Sequence, residues 1–306
     1  MIMDKQKNYM IGVDIGGTNI RIGGTNIEGN LISPPYIISS RNLFPANKNP
    51  IPALANVIQS FVTNHTNHTL SGICIGFPGT VHRNKQIVLS CPNLPAFTNI
   101  DIATPLKCLF HVPVIVEHDV LLLLSLDLRL LDIEDADCVI SFYMGTGLGN
   151  GIYIHNHFLD GKNGVAGELG HIPVYGKRDP CPCGNEGCIE LYCSGKALER
   201  IHENEFPALP FKELFLHYEE TPALQDFINF MAIAFSTEIN LLDPNYIILG
   251  GGVIQMPNFP KNALINKIRL YARKPYPEKN LEFKDAAKSP AAGVLGAGIY
   301  MWKLFA

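Results

Sequence analysis

Residues 165–190 combine the side-chain types that bind metal ions. One histidine and three cysteines occur in this short, glycine-punctuated stretch: His171, Cys181, Cys183 and Cys188. Zn²⁺ prefers thiolate and imidazole ligands and takes four of them tetrahedrally when its role is structural. Gly184 and Gly187 give the loop the backbone angles needed to wrap an ion. The stretch predicts a Cys3His zinc site, with a redox disulfide or unligated core thiols as the alternatives.

Two carboxylates, Glu168 and Glu190, flank this cluster. An ionised carboxylate only accepts hydrogen bonds, so two of them held by one loop suit a ligand that is rich in hydroxyl groups. From the sequence alone, both residues could equally be ordinary surface or capping acids.

The segment VDIGGTNIR places Asp14 at the end of a predicted strand, directly before a tight hairpin that contains Gly16, Gly17 and Thr18. Glycines let backbone N–H groups approach a phosphate closely, and the acid can hold Mg²⁺ directly or through water. The pattern predicts phosphate and magnesium binding at this turn.

Two further glycine turns follow later in the chain. MGTGLGNG contains Gly145, Thr146, Gly147 and Gly149, and LGGGV contains Gly250 and Gly251. Neither matches the pattern GxxxxGK[ST], and a predicted strand follows GTGLGNG, which argues against a Rossmann motif. A single glycine-rich hairpin is most often only a turn. Three such turns, two of them related by the internal order of the chain, indicate triphosphate binding.

The elements that position these residues form a repeated order. YMIGVDIG, NIRIGGTN and LISPPYIIS predict a meander of antiparallel strands, and CVISFYMG and GLGNGIYI begin a second round at Asp137. The repeat predicts two related α/β lobes with a cleft between them, over residues 1–118 and 119–290. The final helix, about 291–306, is expected to return to the first lobe.

Further elements follow from hydrophobic periodicity. Strands are predicted at GICIGF, VPVIVEHD, NYIILGGG and LEFKDA, and helices over residues 52–62, 104–110, 190–202, 211–217, 223–242, 263–271 and 291–304. The run LLLLSLDLRLL is too short to span a bilayer and carries charges, so it predicts a buried helix.

The composition is that of a globular protein. Of 306 residues, 47% are hydrophobic and 17% charged, and the mean hydropathy is +0.12; a disordered chain is excluded. The formal net charge of −4 argues against a general nucleic-acid or anionic-membrane surface. No leader peptide is visible, and five scattered cysteines lack the spacing of a disulfide framework, so we expect a cytoplasmic protein with reduced thiols.

The motifs together resemble the ROK family (repressor, open reading frame, kinase). DIGGTNIR, FPG, MGTGLGNG, GELGH, CPCGNEGCIE and LGGG occur in the order of that family and cover nearly the whole chain. The resemblance implies an α/β fold of the two-lobed actin/hexokinase type (ribonuclease H-like) with a zinc-binding loop. It also implies an ATP-dependent sugar kinase that uses Mg²⁺ and a structural Zn²⁺.

The resemblance assigns a role to each candidate residue. Asp119, in VEHD, matches the catalytic base, although it could also be the N-cap of the following helix. Glu168, Glu190, Gly79 and Asn93 match sugar-binding positions, and Asn93 could equally be a turn former. His171 matches a zinc ligand whose second ring nitrogen faces the sugar. Asp14 is expected to hold magnesium and phosphate, Thr18 and residues 145–149 the phosphates, and Gly250 and Gly251 the adenosine side.

One departure from the family pattern concerns the substrate. Many ROK kinases carry Asn directly before the catalytic Asp, where this chain has His118. SCPNLP, VAGELGHIP and KPYP most resemble ROK kinases of D-allose, which differs from glucose only at C3. We therefore expect phosphorylation of the 6-hydroxyl of D-allose, with glucose, N-acetylmannosamine or fructose as alternatives.

A ROK transcriptional repressor is the rival from a different class. Such repressors carry a DNA-binding segment ahead of the first glycine turn, and only a dozen or so residues precede Asp14 here. We expect no nucleic-acid or membrane partner. The expected partners are the sugar, ATP and a second copy of the chain in a homodimer.

Overall fold

The computed structural model describes residues 8–40 and 43–305. Residues 1–7, where a leader peptide would begin, lie outside the described part. The chain divides into two compact units. The first contains the described residues through Glu134, Asp160–Ala166 and the chain from Ala287 onward; the second contains Asp135–Leu159 and Gly167–Ala286.

A five-stranded sheet forms the centre of the first unit. Its strands are β1 (Asn8–Ile15), β2 (Asn19–Thr25), β3 (Tyr36–Ser39), β4 (Thr69–Phe77) and β8 (Val114–His118), in the order β3-β2-β1-β4-β8. The first three strands are antiparallel, as the meander predicts, and β1, β4 and β8 are parallel. The third strand is shorter than LISPPYIIS suggests, because Pro34 and Pro35 have no N–H groups to pair.

The second unit repeats this topology. Its strands are β9 (Cys138–Met144), β10 (Leu148–Ile154), β11 (His157–Phe158), β12 (Tyr246–Gly250) and β13 (Phe283–Asp285), in the order β11-β10-β9-β12-β13. An antiparallel meander again leads into parallel strands. The internal repeat expected from the sequence is therefore present as the same strand order in both units.

A small antiparallel sheet lies in the first unit between β4 and β8 in sequence. It contains β5 (Thr80–Val81), β6 (Ile87–Ser90) and β7 (Ile100–Asp101). Gly79 lies in the loop before β5, and Asn93 lies in the loop between β6 and β7; both are candidate sugar-binding residues.

Helices pack against both large sheets and, in the second unit, against one another. They are α1 (Ile51–Thr63), α2 (Ala103–Phe110), α3 (Asp119–Leu130), α4 (Glu190–Cys193), α5 (Gly195–Glu205), α6 (Pro222–Leu242), α7 (Lys261–Tyr271) and α8 (Ala292–Phe305). In the second unit, Phe142 of β9 stacks on Phe235 of α6 with ring centroids 3.9 Å apart. Burying each such large apolar side chain contributes roughly 1.5–3 kcal/mol.

The predicted helix over 190–202 is interrupted at Ser194. Its hydroxyl oxygen accepts a hydrogen bond from the amide of Ala197 at 3.4 Å and so caps the start of α5. The predicted helix over 211–217 is a 3-10 helix, Phe211–Glu220. Within the described residues, no helix combines the length and the apolar character needed to cross a membrane.

The division between the units falls after Glu134, whereas the sequence suggests a boundary after residue 118. The reason is the packing of α3 against α8 within the first unit. A Cβ atom on Gly296 of α8 would lie 1.9 Å from the carbonyl oxygen of Leu122, so the two helix backbones are in direct contact. The chain also re-enters the first unit at Asp160–Ala166, which the sequence does not indicate.

Candidate active site and metal centre

In the first unit, the parallel strands bring the two key carboxylates to one edge of the sheet. Gly76 of β4 pairs with Asp14 of β1 on one side and with Glu117 of β8 on the other. Asp119 follows β8 directly as the first residue of α3. Because ligands in such α/β sheets bind beyond the carboxyl ends of the strands, this edge is the candidate active site.

Asp14 lies across the first hairpin from Arg21 and at the first turn of α8. Its Oδ2 atom is 3.3 Å from the Arg21 guanidinium. A Cβ atom on Gly293 would lie 2.6 Å from the Asp14 carboxyl carbon, so the carboxylate sits against the helix N-terminus, which favours negative charge. Burial nevertheless raises the pKa of Asp14, against the lowering effect of Arg21. This anionic group is suited to a further cation such as Mg²⁺.

Asp119 has the electrostatic character of a general base. Burial raises the pKa of its carboxyl group to about 7, and the negative charge of Asp14 adds to the shift. Its Oδ1 atom accepts a hydrogen bond from the amide of Val120 at 2.8 Å. The N-cap position of α3 is His118, so Asp119 is not the N-cap residue that the sequence offers as the alternative. A carboxylate with a pKa near neutrality is a far better proton acceptor than an ordinary Asp.

The tip of the first hairpin is formed by Gly16, Gly17 and Thr18. The amide of Ser40 donates to the Thr18 carbonyl, and the Ser40 hydroxyl donates to the Gly16 carbonyl, both at 2.9 Å. Gly17 is exposed, and a Cβ atom there would lie 3.6 Å from the Cβ of Asn93. The structure therefore brings Asn93 to the same turn as the predicted phosphate contacts.

Gly79 and His118 have packing roles that the sequence does not reveal. A Cβ atom on Gly79 would lie 2.2 Å from the Ser90 carbonyl oxygen, so only glycine fits. The Nε2 atom of His118 is 2.8 Å from the Gly164 carbonyl oxygen and 3.3 Å from the amide nitrogen of Val81. The 2.8 Å contact is a hydrogen bond only if Nε2 carries the ring proton, so we assign that tautomer. Nε2 then donates to Gly164, and Nδ1 is the ring nitrogen that can accept a hydrogen bond from a ligand.

In the second unit, the β9–β10 hairpin is held at one side and open at the other. The Glu190 carboxylate accepts a hydrogen bond from the Leu148 amide at 2.8 Å, and a Cβ atom on Gly147 would lie 2.5 Å from it. The Gly195 amide donates to the Gly145 carbonyl at 2.9 Å. A Cβ atom on Gly145, in contrast, would meet nothing within 4 Å. Gly145 therefore borders open space that a phosphate could occupy.

Thr146 and Gly149 occupy other positions of the same hairpin. Thr146 is exposed at the tip, and Gly149 pairs with Tyr143 inside the hairpin. Glu190 is predicted to bind sugar, but one of its oxygens also accepts a hydrogen bond from the Leu148 amide. Glu190 therefore also stabilises the predicted phosphate turn.

The glycines after β12 also include both closely packed and open positions. A Cβ atom on Gly250 would lie 2.4 Å from the Cβ of Ala286, and one on Gly251 would lie 2.4 Å from the amide nitrogen of Met144. Gly251 also has a φ of +89°, which strongly favours glycine. Gly252 meets nothing within 4 Å, so it is a candidate ligand contact that the sequence reading missed.

The four predicted zinc ligands converge. One ligand atom from each of His171, Cys181, Cys183 and Cys188 lies within 4.8 Å of the others. Cys181 Sγ is 3.7 Å from His171 Nδ1, and Cys183 Sγ is 3.6 Å from Cys188 Sγ. Tetrahedral ligands about 2.0–2.3 Å from Zn²⁺ lie about 3.5–3.8 Å apart, so these donors fit the ion. A disulfide would need an S–S distance of about 2.05 Å.

Glu168 contacts the same histidine from the other side. Its Oε2 atom is 3.5 Å from His171 Nε2, while His171 Nδ1 faces the cysteines. A carboxylate on the second ring nitrogen of a metal-binding histidine fixes the ring and raises its basicity. The second ring nitrogen of His171 therefore faces Glu168 here, whereas the sequence reading directed it toward the sugar.

Two buried acids were missed by the sequence reading. Glu117 is fully buried in the first unit, and Glu238 of α6 is buried in the second, where its Oε2 accepts a hydrogen bond from Asn150 Nδ2 at 2.8 Å. Burial raises the pKa of Glu238 to about 8. The available signal was an acid inside an apolar run, in VIVEHD and in FSTEINLL.

Comparisons with known proteins agree with this architecture. The N-acetyl-D-glucosamine kinase of Pectobacterium atrosepticum is 30% identical, covering 94% of this chain and 97% of that protein. The xylose repressor of Bacillus subtilis is 26% identical, covering 96% of this chain and 78% of the repressor. A ROK family glucokinase from Streptomyces griseus, solved with glucose and AMPPNP, has a TM-score of 0.76 and 26% identity, covering 95% of this chain and 98% of that chain.

The hexokinase-like α/β fold expected from the motifs is therefore confirmed. The sequence profile of the ROK family matches residues 10–303, which include the strands, the glycine turns and the cysteine cluster described above. The chain belongs to the ROK family.

Proposed function

We propose that the protein is an ATP-dependent sugar kinase that phosphorylates the 6-hydroxyl group of an aldohexose. The observation that carries this proposal is the pair Asp14 and Asp119 at the carboxyl ends of parallel strands, with the pKa of Asp119 raised to about 7. Kinase relatives and the glucokinase solved with glucose and AMPPNP support the same reaction.

Asp119 has the central role in the mechanism. Phosphoryl transfer passes through a loose transition state, so catalysis consists mostly of positioning and charge neutralisation. The Asp119 carboxylate orients the sugar hydroxyl and takes its proton as the bond to phosphorus forms. The Val120 amide holds one oxygen of this carboxylate at 2.8 Å and fixes its direction.

Backbone amides of the glycine turns bind the phosphates of ATP. A Cβ atom on Gly145 or Gly252 would meet nothing within 4 Å, so a phosphate can approach the backbone at both turns. Asp14 would hold Mg²⁺, which neutralises charge on the phosphates. In this proposal the first unit supplies the carboxylates for the proton and the metal ion, with Gly16, Gly17 and Thr18 as phosphate contacts. The second unit supplies the further phosphate contacts at its glycine turns.

Glu168 and Glu190 bind sugar hydroxyls, supported by the zinc loop. His171, Cys181, Cys183 and Cys188 would hold Zn²⁺ with all four positions filled by protein, so the ion stiffens the loop. Glu168 contacts His171 directly, which couples the loop to a candidate sugar ligand.

D-Allose is the substrate we propose among the aldohexoses. Support comes from the segments SCPNLP and VAGELGHIP and from His118 beside the base. The His118 Nε2 is held by Gly164, so the ring has a fixed orientation from which Nδ1 can read a hydroxyl. A fixed polar group discriminates epimers because the wrong epimer leaves it unpaired.

A coupled ADP-release assay with Mg-ATP tests the proposal over D-allose, glucose, N-acetylglucosamine, N-acetylmannosamine, fructose and xylose. We expect turnover, with the highest kcat/KM for D-allose. Absence of turnover with every sugar would contradict the kinase assignment. A higher kcat/KM for another sugar would contradict only the D-allose assignment.

A sugar-responsive repressor is the second candidate, because a xylose repressor matches 96% of the chain. The formal net charge of −4 disfavours a DNA-binding surface. Calorimetric binding of xylose without turnover in the same sugar panel would favour this candidate over the kinase.

A further inference from the structure

Glu117 is a buried carboxylate with three hydrogen-bond donors, two residues before Asp119. Its side chain is fully buried, so it does not contact a ligand. One oxygen accepts from the His118 amide at 2.9 Å. The other accepts from the Tyr300 hydroxyl at 2.6 Å and contacts the Lys85 ammonium at 2.7 Å. The carboxylate therefore fixes the peptide that leads into Asp119.

Lys85 reaches Glu117 from a loop that is itself bonded to β8. The Val116 amide donates to the Lys85 carbonyl at 2.8 Å, and Lys85 adopts a φ of 59°, in the left-handed region. The same ammonium is 2.5 Å from Asp160. Lys85 therefore joins the end of β8 to the segment Asp160–Ala166, which the His118 ring also holds through Gly164.

Tyr300 connects this network to Asp14. Gly293 and Tyr300 are seven residues apart on α8 and so lie on the same face of that helix. A Cβ atom on Gly293 would lie 2.6 Å from the Asp14 carboxyl carbon, while Tyr300 donates to Glu117. One helix face thus contacts Asp14 in its first turn and the residue that leads into Asp119 two turns later.

We propose that Glu117 is a positioning residue that sets the geometry between Asp119 and Asp14 through Tyr300 and Lys85. This inference rests on the proposed kinase function. A buried ion pair is weak evidence for stability, because apolar side chains of similar volume usually serve as well. The hydrogen-bond network instead defines one position for the end of β8 relative to α8. Asp119 follows that end of β8 directly, and Asp14 of β1 contacts α8 at Gly293.

Kinetics of Tyr300→Phe, with Tyr9→Phe as the matched control, tests the proposal. Both tyrosines are buried in the first unit, and Tyr9 is far from Glu117 in the register of the sheet. We expect kcat of Tyr300→Phe to fall about tenfold with the KM for ATP unchanged, because a small misplacement of reacting groups costs rate rather than nucleotide binding. Tyr9→Phe keeps the wild-type kcat. Tyr300→Phe has the lower Tm, because it removes a hydrogen bond to a buried carboxylate, so both variants are assayed well below their Tm. Glu117→Gln lowers kcat about 100-fold.

Two kinetic results would overturn the proposal. A Tyr300→Phe enzyme with the kcat of Tyr9→Phe would show that the network only stabilises the fold and would overturn the proposal. A rise in the KM for ATP without a change in kcat would also overturn it. Wild-type protein without turnover on any sugar would instead refute the proposed function itself, and this inference with it.

Discussion

The two units share one strand order but place different chemistry at the ends of their parallel strands. In the first unit the strand ends carry Asp14 and Asp119, whose pKa values are raised by burial. In the second unit the ends of β9 and β12 carry glycine turns, with open space beside Gly145 and Gly252. The difference teaches that the repeated topology supplies only the location of a site. Acids make one edge suited to a proton and a metal ion, and bare backbone makes the other suited to phosphates.

The largest expected effect comes from Asp119→Asn. Because Asn cannot accept the proton, kcat falls by about 10³-fold. The Tm at pH 8 rises, since the native state no longer buries an ionised carboxylate whose pKa is raised to about 7. Asp132→Asn, at the exposed end of the same helix region, is the matched control and leaves both quantities unchanged. A variant with near wild-type kcat would remove Asp119 from the mechanism.

Zinc removal gives the next largest effect and acts in the second unit. Cys183→Ser removes one of the four convergent donors, so the zinc content falls from about one ion per chain toward zero. The KM for the sugar rises about 10–100-fold, because Glu168 loses the support of His171. Cys108→Ser, an exposed cysteine of the first unit, is the control. Equal zinc in both variants, measured by elemental analysis, would contradict the site.

The pH dependence of kcat/KM for the sugar reports on the first unit. The base must be ionised, and the pKa of Asp119 is raised to about 7 by burial. At saturating Mg-ATP, kcat/KM therefore falls about tenfold per pH unit below pH 7 and levels off above it. A profile that stays level down to pH 5 would mean that Asp119 has an ordinary pKa or is not the base.

Gly145→Ala tests the open side of the second hairpin. The new methyl group meets no protein atom within 4 Å, so the Tm does not change. It does occupy the space proposed for a phosphate, and we expect the KM for ATP to rise about tenfold, equivalent to about 1.4 kcal/mol. Gly195→Ala is the contrasting variant, because its Cβ would lie 2.4 Å from the Gly145 carbonyl oxygen and lower the Tm.

Glu238→Gln has the smallest effect on activity and separates stability from catalysis. The folded state raises the pKa of Glu238 from the ordinary 4.5 to about 8, so wild-type protein loses stability as the pH rises across that range. The Gln variant lacks this loss, and its Tm advantage grows with pH, corresponding to about 1–3 kcal/mol near pH 8. The exposed Glu205→Gln is the control. A Tm difference independent of pH would contradict the raised pKa.

The sequence predicted the repeated strand order and the local convergence of the four Cys and His residues well, because both follow from short-range patterns. Alternating and apolar runs define β1 to β4, β9, β10 and β12, and the four predicted ligands lie within 18 positions of one another. The glycine turns were located correctly, although the structure separates those needed for packing, such as Gly251, from the open Gly145.

Long-range contacts could not be predicted. Tyr300 and Glu117 are 183 residues apart, and no local pattern pairs them. The bond from the His118 ring to Gly164 and the packing of α3 on α8 depend equally on the assembled first unit. For this reason the boundary between the units lies after Glu134, and not after residue 118 as the sequence suggests. The engagement of Glu190 by the Leu148 amide is a further tertiary contact that composition does not indicate.

Steady-state kinetics of Asp119→Asn and Gly145→Ala, measured side by side with D-allose and Mg-ATP, tests the division between the two strand edges most directly. We predict that Asp119→Asn loses about 10³-fold in kcat with little change in the KM for ATP. Gly145→Ala keeps kcat within about threefold and raises the KM for ATP about tenfold. If both substitutions changed the same parameter, the assignment of proton transfer to one edge and nucleotide binding to the other would be wrong.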